Sequence, residues 1–249
     1  MSAKNDLEGP RTKIDRAKDH ARELEREIEA FLQRDPYRVM LLTDQHGNQT
    51  LACDVKELVP SKWGLIAGDA LHNARASLDL LANVLVERDG GRSGDASFPI
   101  SNTSDVFQKA APKSLRGASD TTVRKIEELQ PFNTGNADLR TLHVLDIIDK
   151  HKTAIVTASA GSAQNITARQ RGTGGTMSLG FASIDTTKLG VSPMGLAFSG
   201  MMGMVFDPAF RLRRDVLLID ADRRPIGDAG ATVRRLIGAA EAVINTFDV

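Results

Sequence analysis

Cysteine, tyrosine, tryptophan and net charge are what this sequence has least of. The 249 residues include one cysteine, Cys53, which excludes an intramolecular disulfide and any cysteine-rich zinc or iron–sulfur site. Tyr37 and Trp63 are the only residues of their types, which argues against a base-stacking platform for single-stranded nucleic acid. Lysine plus arginine and aspartate plus glutamate each total 32, so we expect no broad electrostatic capture of nucleic acid or membrane, although a local basic patch is compatible with this balance.

Long apolar stretches are also missing. The N-terminal residues are polar and charged, and no segment has about 18 uninterrupted apolar residues, so we expect neither a secretory signal nor a membrane span. A chain of this length can bury a core without disulfides or a structural metal. We therefore expect a soluble, cytoplasmic protein with no cofactor, no metal site and no membrane partner.

The order of the hydrophobic patterns predicts an α+β protein formed as one domain, residues 1–249. Apolar spacings of three and four residues predict helices, alternating and β-branched runs predict strands, and no βαβ alternation is present. We expect a helical part at about 12–152 that includes a β-hairpin at 39–55, then a β-rich antiparallel part at about 153–226 and a C-terminal helix at about 228–247. The expected helices of the first part lie at about 12–34, 62–88, 106–110, 119–129 and 137–152, the last two packed as a helical hairpin.

The helix predicted at 62–88 carries a polar strip beside its apolar face. Its members follow one another at spacings of three or four residues, so neighbouring side chains can touch: Asp69, His72, Arg75, Asp79 and Asn83. One interpretation is a site in which His72 exchanges a proton, Arg75 binds an anion, and Asp69 or Asp79 orients them. The other is a solvated face with local ion pairs, and the sequence leaves both open.

The helix predicted at 137–152 carries polar residues among apolar residues that point in nearly every direction. We expect this helix to be largely buried, so that some of His143, Asp146, Asp149 and Lys150 lie inside the protein and find partners, most readily on the polar strip. A buried carboxylate beside a histidine makes this a candidate reaction site, while a structural polar network that ties two helices together is the more common case.

Three segments resemble an uncharacterised family of bacterial and phage proteins: Gly68 to Leu81, Leu129 to Phe132, and Leu145 to Lys152 with its Asp-Lys-His-Lys ending. Within the first segment, the arrangement resembles the signature of HEPN-type helical domains, an arginine followed after four residues by a histidine. Arg75 matches the arginine of that signature and Asp79 a position within it, but Leu80 stands where the histidine is expected.

The resemblance implies a HEPN-like helical bundle and a partner that is RNA or a nucleotide. HEPN domains are often metal-independent ribonucleases and are typically dimeric, so a homodimer is implied as well. By this resemblance Arg75 would contact phosphate, His72 or His143 would carry protons in place of the missing histidine, and Asp79, Asp146 or Asp149 would orient them.

The alternative is a noncatalytic interaction protein of phage or defence context, in which the same residues form a structural network; whether the chain is an enzyme stays open. The densest basic cluster, Arg211, Arg213 and Arg214, is a further candidate phosphate contact or a solvated strand edge.

Overall fold

The computed structural model describes ten stretches of the chain: residues 6–47, 49–92, 94–151, 157–164, 166–170, 176–179, 189–193, 204–206, 211–219 and 225–248. The helices are α1 (Glu8–Gln33), α2 (Lys62–Arg88), α3 (Ser104–Ser114), α4 (Asp120–Glu128), α5 (Pro131–Thr134), α6 (Ala137–His151) and α7 (Ala229–Asn245). The strands are β1 (Tyr37–Thr43), β2 (Gln49–Val55), β3 (Thr157–Gln164), β4 (Ile166–Gln170), β5 (Thr176–Leu179), β6 (Gly190–Pro193), β7 (Met204–Phe206), β8 (Arg211–Ile219) and β9 (Pro225–Asp228). The α+β prediction is confirmed at this level.

Local sequence signals set where the helices begin and end. The chain leaves α1 through Asp35, whose φ of 55° lies in the left-handed region, and Pro36 prevents the helix from continuing. Side-chain oxygens of Thr103, Ser119 and Asp228 accept backbone N–H groups at the first turns of α3, α4 and α7. The predicted bounds of α2 are confirmed, whereas α1 begins four residues before the predicted Thr12.

The described strands pair only in antiparallel fashion, as the sequence predicts. They form three three-stranded sheets with the orders β1-β2-β6, β3-β8-β9 and β5-β4-β7. The predicted hairpin is confirmed, with Tyr37 opposite Val55 and Thr43 opposite Gln49. The predictions for residues 152–156, 171–175, 180–188 and 194–203 lie outside the described residues.

One hydrophobic cluster connects the helices with the hairpin and β8. The apolar residues that recur every three or four positions along α1 are buried at Ile14, Ala17, Ala21, Leu24 and Phe31, and α1 packs against both α2 and α7. Phe31, Tyr37 and Trp63 join α1, the hairpin and the start of α2 through edge-to-face ring contacts, with centroids 5.2 Å apart for Phe31 and Trp63. The apolar face of α7 is buried in this same cluster from Val233 to Ile244.

Two expectations for the region around α6 are wrong. Pro131 not only ends α4 but begins the additional helix α5, and the substantial packing of α6 is against α2 and α7 instead of a hairpin with α4. In addition, α6 is not buried all round, because the side chains of Val144 and Ile147 are each 43% exposed. Contact with α2 on one side and α7 on another leaves a third face of the helix uncovered.

Candidate functional site

Arg75 of the polar strip lies inside the protein. The residue is only 7% exposed, and its guanidinium donates hydrogen bonds from Nη1 to Asp79 Oδ1 at 2.7 Å and from Nη2 to the carbonyl oxygen of Phe98 at 2.8 Å. The same Asp79 oxygen accepts the backbone N–H of Phe98 at 2.9 Å. Arg75 and Asp79 therefore bind both backbone polar groups of one residue in the chain that leads from α2 to α3.

Asn83 and Gln130 hold the same stretch of chain, which we call the pinned segment (residues 94–101). Asn83 donates to the carbonyl oxygen of Ala96 at 2.8 Å, and its side-chain oxygen accepts the N–H of Gly94 at 2.6 Å. Gln130 has no exposed surface; it accepts the N–H of Ser101 and donates to the carbonyl of Pro99, both at 2.9 Å. The pinned segment has no strand partner here, so these side chains satisfy its backbone in place of a sheet.

His72 and Asp146 form the contact between helices that the sequence predicts. His72 Nδ1 lies 2.9 Å from Asp146 Oδ1, joining α2 to α6. The side chain of His72 is 46% exposed and that of Asp146 only 4% exposed. Because a carboxylate only accepts, Nδ1 carries the proton of this bond and Nε2 is the nitrogen available for proton exchange. This is the arrangement of a histidine oriented by a buried carboxylate.

The remaining candidates take different positions. Asp69 lies on the exposed face of α2, one turn before His72, and His143 is half-buried on α6, three residues before Asp146. Asp149 belongs to α6, but its side chain lies outside the described part of the chain. Within that part, no hydrogen bond or ion pair connects the His72–Asp146 pair with Arg75 and Asp79. The structure thus gives two separate arrangements along one polar strip.

The described part also holds groups that bear on chemistry elsewhere. Glu27 accepts hydrogen bonds from Lys62 Nζ and from the indole N–H of buried Trp63, each at 2.7 Å, and the bond to Lys62 is the main reason that the pKa of Glu27 is lowered. Burial raises the pKa of the Cys53 thiol to about 11, so this cysteine is not a thiolate near neutral pH. β8 pairs with β3 along Arg211, Arg213 and Arg214, whose side chains are outside the description.

A groove lies between α1 and α7, away from the polar strip. Its volume is about 420 Å³, and the Glu25–Arg234 ion pair separates it from a second hollow of about 270 Å³ further along the same helices. The sequence does not predict this groove, because its walls come from α1 and α7, which are far apart in sequence, and no local pattern links them.

The sequence also does not predict that Gln130 holds the pinned segment. Gln130 stands directly before Pro131, and neither its spacing nor its neighbours indicate a buried carboxamide. Its side chain also donates to the carbonyl of Ile126 at 3.1 Å, but its partners distant in sequence, Ser101 and Pro99, depend on the path of the pinned segment.

Among the described residues, no group of three or more histidine, cysteine, aspartate or glutamate side chains is placed to hold a metal ion. None of the helices searched in that same part is long and apolar enough to cross a membrane. The chain matches no protein-family model, no curated protein and no solved structure.

Proposed function

We propose that this chain is a noncatalytic interaction protein in which Arg75, Asp79 and Asn83 hold the fold. The observation that carries the proposal is the position of Arg75, which is buried and engaged at both terminal nitrogens by Asp79 and the Phe98 carbonyl. In a HEPN-type site this arginine would have to present N–H groups to a phosphate.

The residue at the expected histidine position supports the same proposal. Leu80 is partly exposed, at 38%, and an aliphatic side chain carries no proton. The two positions of the Arg-x4-His signature thus hold a buried arginine that serves the backbone and a surface leucine. A HEPN-like fold stays a prediction from the resemblance.

A second candidate function, an RNA-acting enzyme, is favoured by one specific observation, the His72–Asp146 pair. In this mechanism His72 Nε2 takes the proton of a ribose 2′-hydroxyl, O2′ forms a bond to phosphorus, and the bond from phosphorus to O5′ breaks. The protonated His72 then returns its proton to the departing O5′, which leaves a cyclic phosphate and a 5′-hydroxyl.

The charge around His72 makes this second candidate the weaker one. Asp69 and Asp79 lie one and two turns away on the same helix, and Asp146 is in direct contact with His72. Arg75 balances the charge of Asp79, so this pair offers a phosphodiester no free cation, while the carboxylates of Asp69 and Asp146 repel it.

One assay separates the two candidates. A labelled single-stranded RNA is incubated with the protein and a metal chelator, using wild type, His72→Ala, Asp146→Asn and the control His46→Ala, which changes an exposed histidine of the β1–β2 turn. The proposal predicts that all four leave the RNA intact. Cleavage by wild type and His46→Ala that is lost in folded His72→Ala and reduced in Asp146→Asn would overturn it in favour of the enzyme.

A further inference from the structure

Arg88, the last residue of α2, joins two helix ends that are far apart in sequence. Its Nε and Nη2 atoms donate hydrogen bonds to the two carboxylate oxygens of Asp6, at 2.6 and 2.7 Å, just before α1 begins. Its Nη1 atom donates to the carbonyl oxygen of Phe247 at 2.8 Å, just after α7 ends. One guanidinium therefore uses all three of its nitrogens to bind both helix ends.

Neither of these helix ends is closed by a side chain of its own helix. Leu7 occupies the N-cap position of α1 and forms no side-chain hydrogen bond there. The last turn of α7 carries no basic residue, and Thr246 at its C-cap is not in the left-handed conformation that closes many helices. Arg88 supplies what the end of α7 lacks, a cation beside its final carbonyl groups.

A second ion pair extends the contacts around Arg88. Arg11, near the start of α1, pairs with Asp248 at 2.5 Å. The hydrogen bonds to Asp6 are the main reason that the pKa of Arg88 is raised, and the charge of Asp248 adds to the effect. Charges of alternating sign thus form one network, in which ion pairs contribute more than an isolated surface pair does. We call this network, together with the Phe247 carbonyl, the helix-end clasp: Asp6, Arg11, Arg88 and Asp248.

Buried apolar side chains stand next to the clasp at both helix ends. Leu7 has no exposed surface and Phe247 is 3% exposed, and both belong to the hydrophobic cluster. Val86, two residues before Arg88, has no exposed surface either, so the arginine extends from a well-packed part of α2. Helix ends are among the places where local opening costs least. Opening of either end would bring an apolar side chain into water.

We propose that the helix-end clasp makes the start of α1 and the end of α7 open as one unit. When Asp6 leaves Arg88, the guanidinium loses the two hydrogen bonds that orient Nη1 toward the Phe247 carbonyl. Coupling of this kind is reciprocal, so release of Phe247 also weakens the hold on Asp6. The clasp is thus a conformational device that transmits a change at one helix end to the other. The inference does not depend on the proposed function.

The test reads the end of α7 while changing a residue that precedes α1. Among the described residues, no hydrogen bond or ion pair joins Asp6 directly to α7. Amide hydrogen exchange of Thr246 and Phe247 is measured by NMR in wild type, Asp6→Asn, Arg88→Gln and the variant that carries both changes. The control is Asp15→Asn, which removes an exposed carboxylate of α1 that makes no ion pair with a described residue. Urea unfolding checks that each variant is folded.

Arg88→Gln is expected to speed exchange at the end of α7 by about tenfold, because a charged donor to the Phe247 carbonyl is lost. Asp6→Asn is expected to speed it by about threefold through Arg88. The double variant should exchange as fast as Arg88→Gln alone, and Asp15→Asn should match wild type. The inference is overturned if Asp6→Asn leaves exchange at α7 unchanged, if it adds its full effect on top of Arg88→Gln, or if Asp15→Asn has the same effect.

Discussion

The two halves of the polar strip on α2 have similar helical spacing, and each carries an aspartate, but they differ in what covers them. The C-terminal half, Arg75 to Asn83, lies under the pinned segment, and its side chains form hydrogen bonds to backbone groups of that segment. The N-terminal half meets α6, where His72 contacts Asp146 and keeps nearly half of its surface exposed. Helical periodicity places polar groups side by side, but the covering chain decides whether they stabilise the fold or face a ligand.

The sharpest test of this contrast is Arg75→Ala. The substitution leaves the Phe98 carbonyl without its donor and Asp79 without its counter-charge, so we expect a loss of roughly 2–4 kcal/mol in the free energy of unfolding. Urea denaturation at neutral pH measures this loss. Arg26→Ala, which removes an exposed cation of α1, is expected to stay within about 0.5 kcal/mol of wild type. A loss below about 1 kcal/mol for Arg75→Ala would remove the distinction between the two halves.

Gln130→Ala tests the far end of the pinned segment. It leaves the N–H of Ser101 and the carbonyl of Pro99 without the hydrogen bonds from Gln130, whose side chain has no exposed surface. We therefore expect a loss of roughly 1–3 kcal/mol in the free energy of unfolding. Amide hydrogen exchange at Ser101 should become faster in the same variant. Gln33→Ala, at the exposed end of α1, serves as the control. Unchanged exchange at Ser101 would mean that Gln130 does not hold the segment.

Glu27 allows a buried and an exposed contact to be compared through the pH dependence of stability, since it binds a buried donor, Trp63, and an exposed one, Lys62. Its pKa is lowered from 4.5, chiefly by the bond to Lys62, so its contribution to stability is present above pH 4.5 and lost as pH falls through the lowered value. Glu27→Gln is expected to cost about 1 kcal/mol or less at neutral pH. The two stability curves should converge in acid, as measured by urea unfolding between about pH 3 and 7. Curves that stay parallel would show that the charge of Glu27 does not contribute to the stability of the folded protein.

A control for this experiment is available on the same helix. Glu29 is exposed and makes no ion pair with a described residue, so Glu29→Gln changes the net charge as much as Glu27→Gln does without removing an ion pair. Its stability curve is expected to run parallel to that of wild type.

The sequence predicts the local features of this molecule well. It does not predict which segments of the chain cover the polar residues. The bounds of α2, the hairpin and the start of α7 follow from periodicity and turn residues within a few positions. The contact of α6 with α2 also follows, because Asp146 cannot be buried without a partner. What covers Arg75 does not follow, since the pinned segment has no pattern of its own and is fixed by Gln130, which lies between α4 and α5.

The smallest expected effect belongs to the open half of the strip. His72→Ala removes one contact of Asp146, but because His72 is 46% exposed, water can reach the carboxylate at the position that the imidazole vacates. The carboxylate is then rehydrated on that side and not stranded, so we expect a loss of roughly 0–1 kcal/mol in the free energy of unfolding. Urea denaturation of His72→Ala beside Arg75→Ala measures the difference between the halves within one experiment. If both variants lose the same free energy of unfolding, the His72–Asp146 contact stabilises the fold as much as the hydrogen bonds of Arg75 do. No residue of the strip is then left for proton transfer.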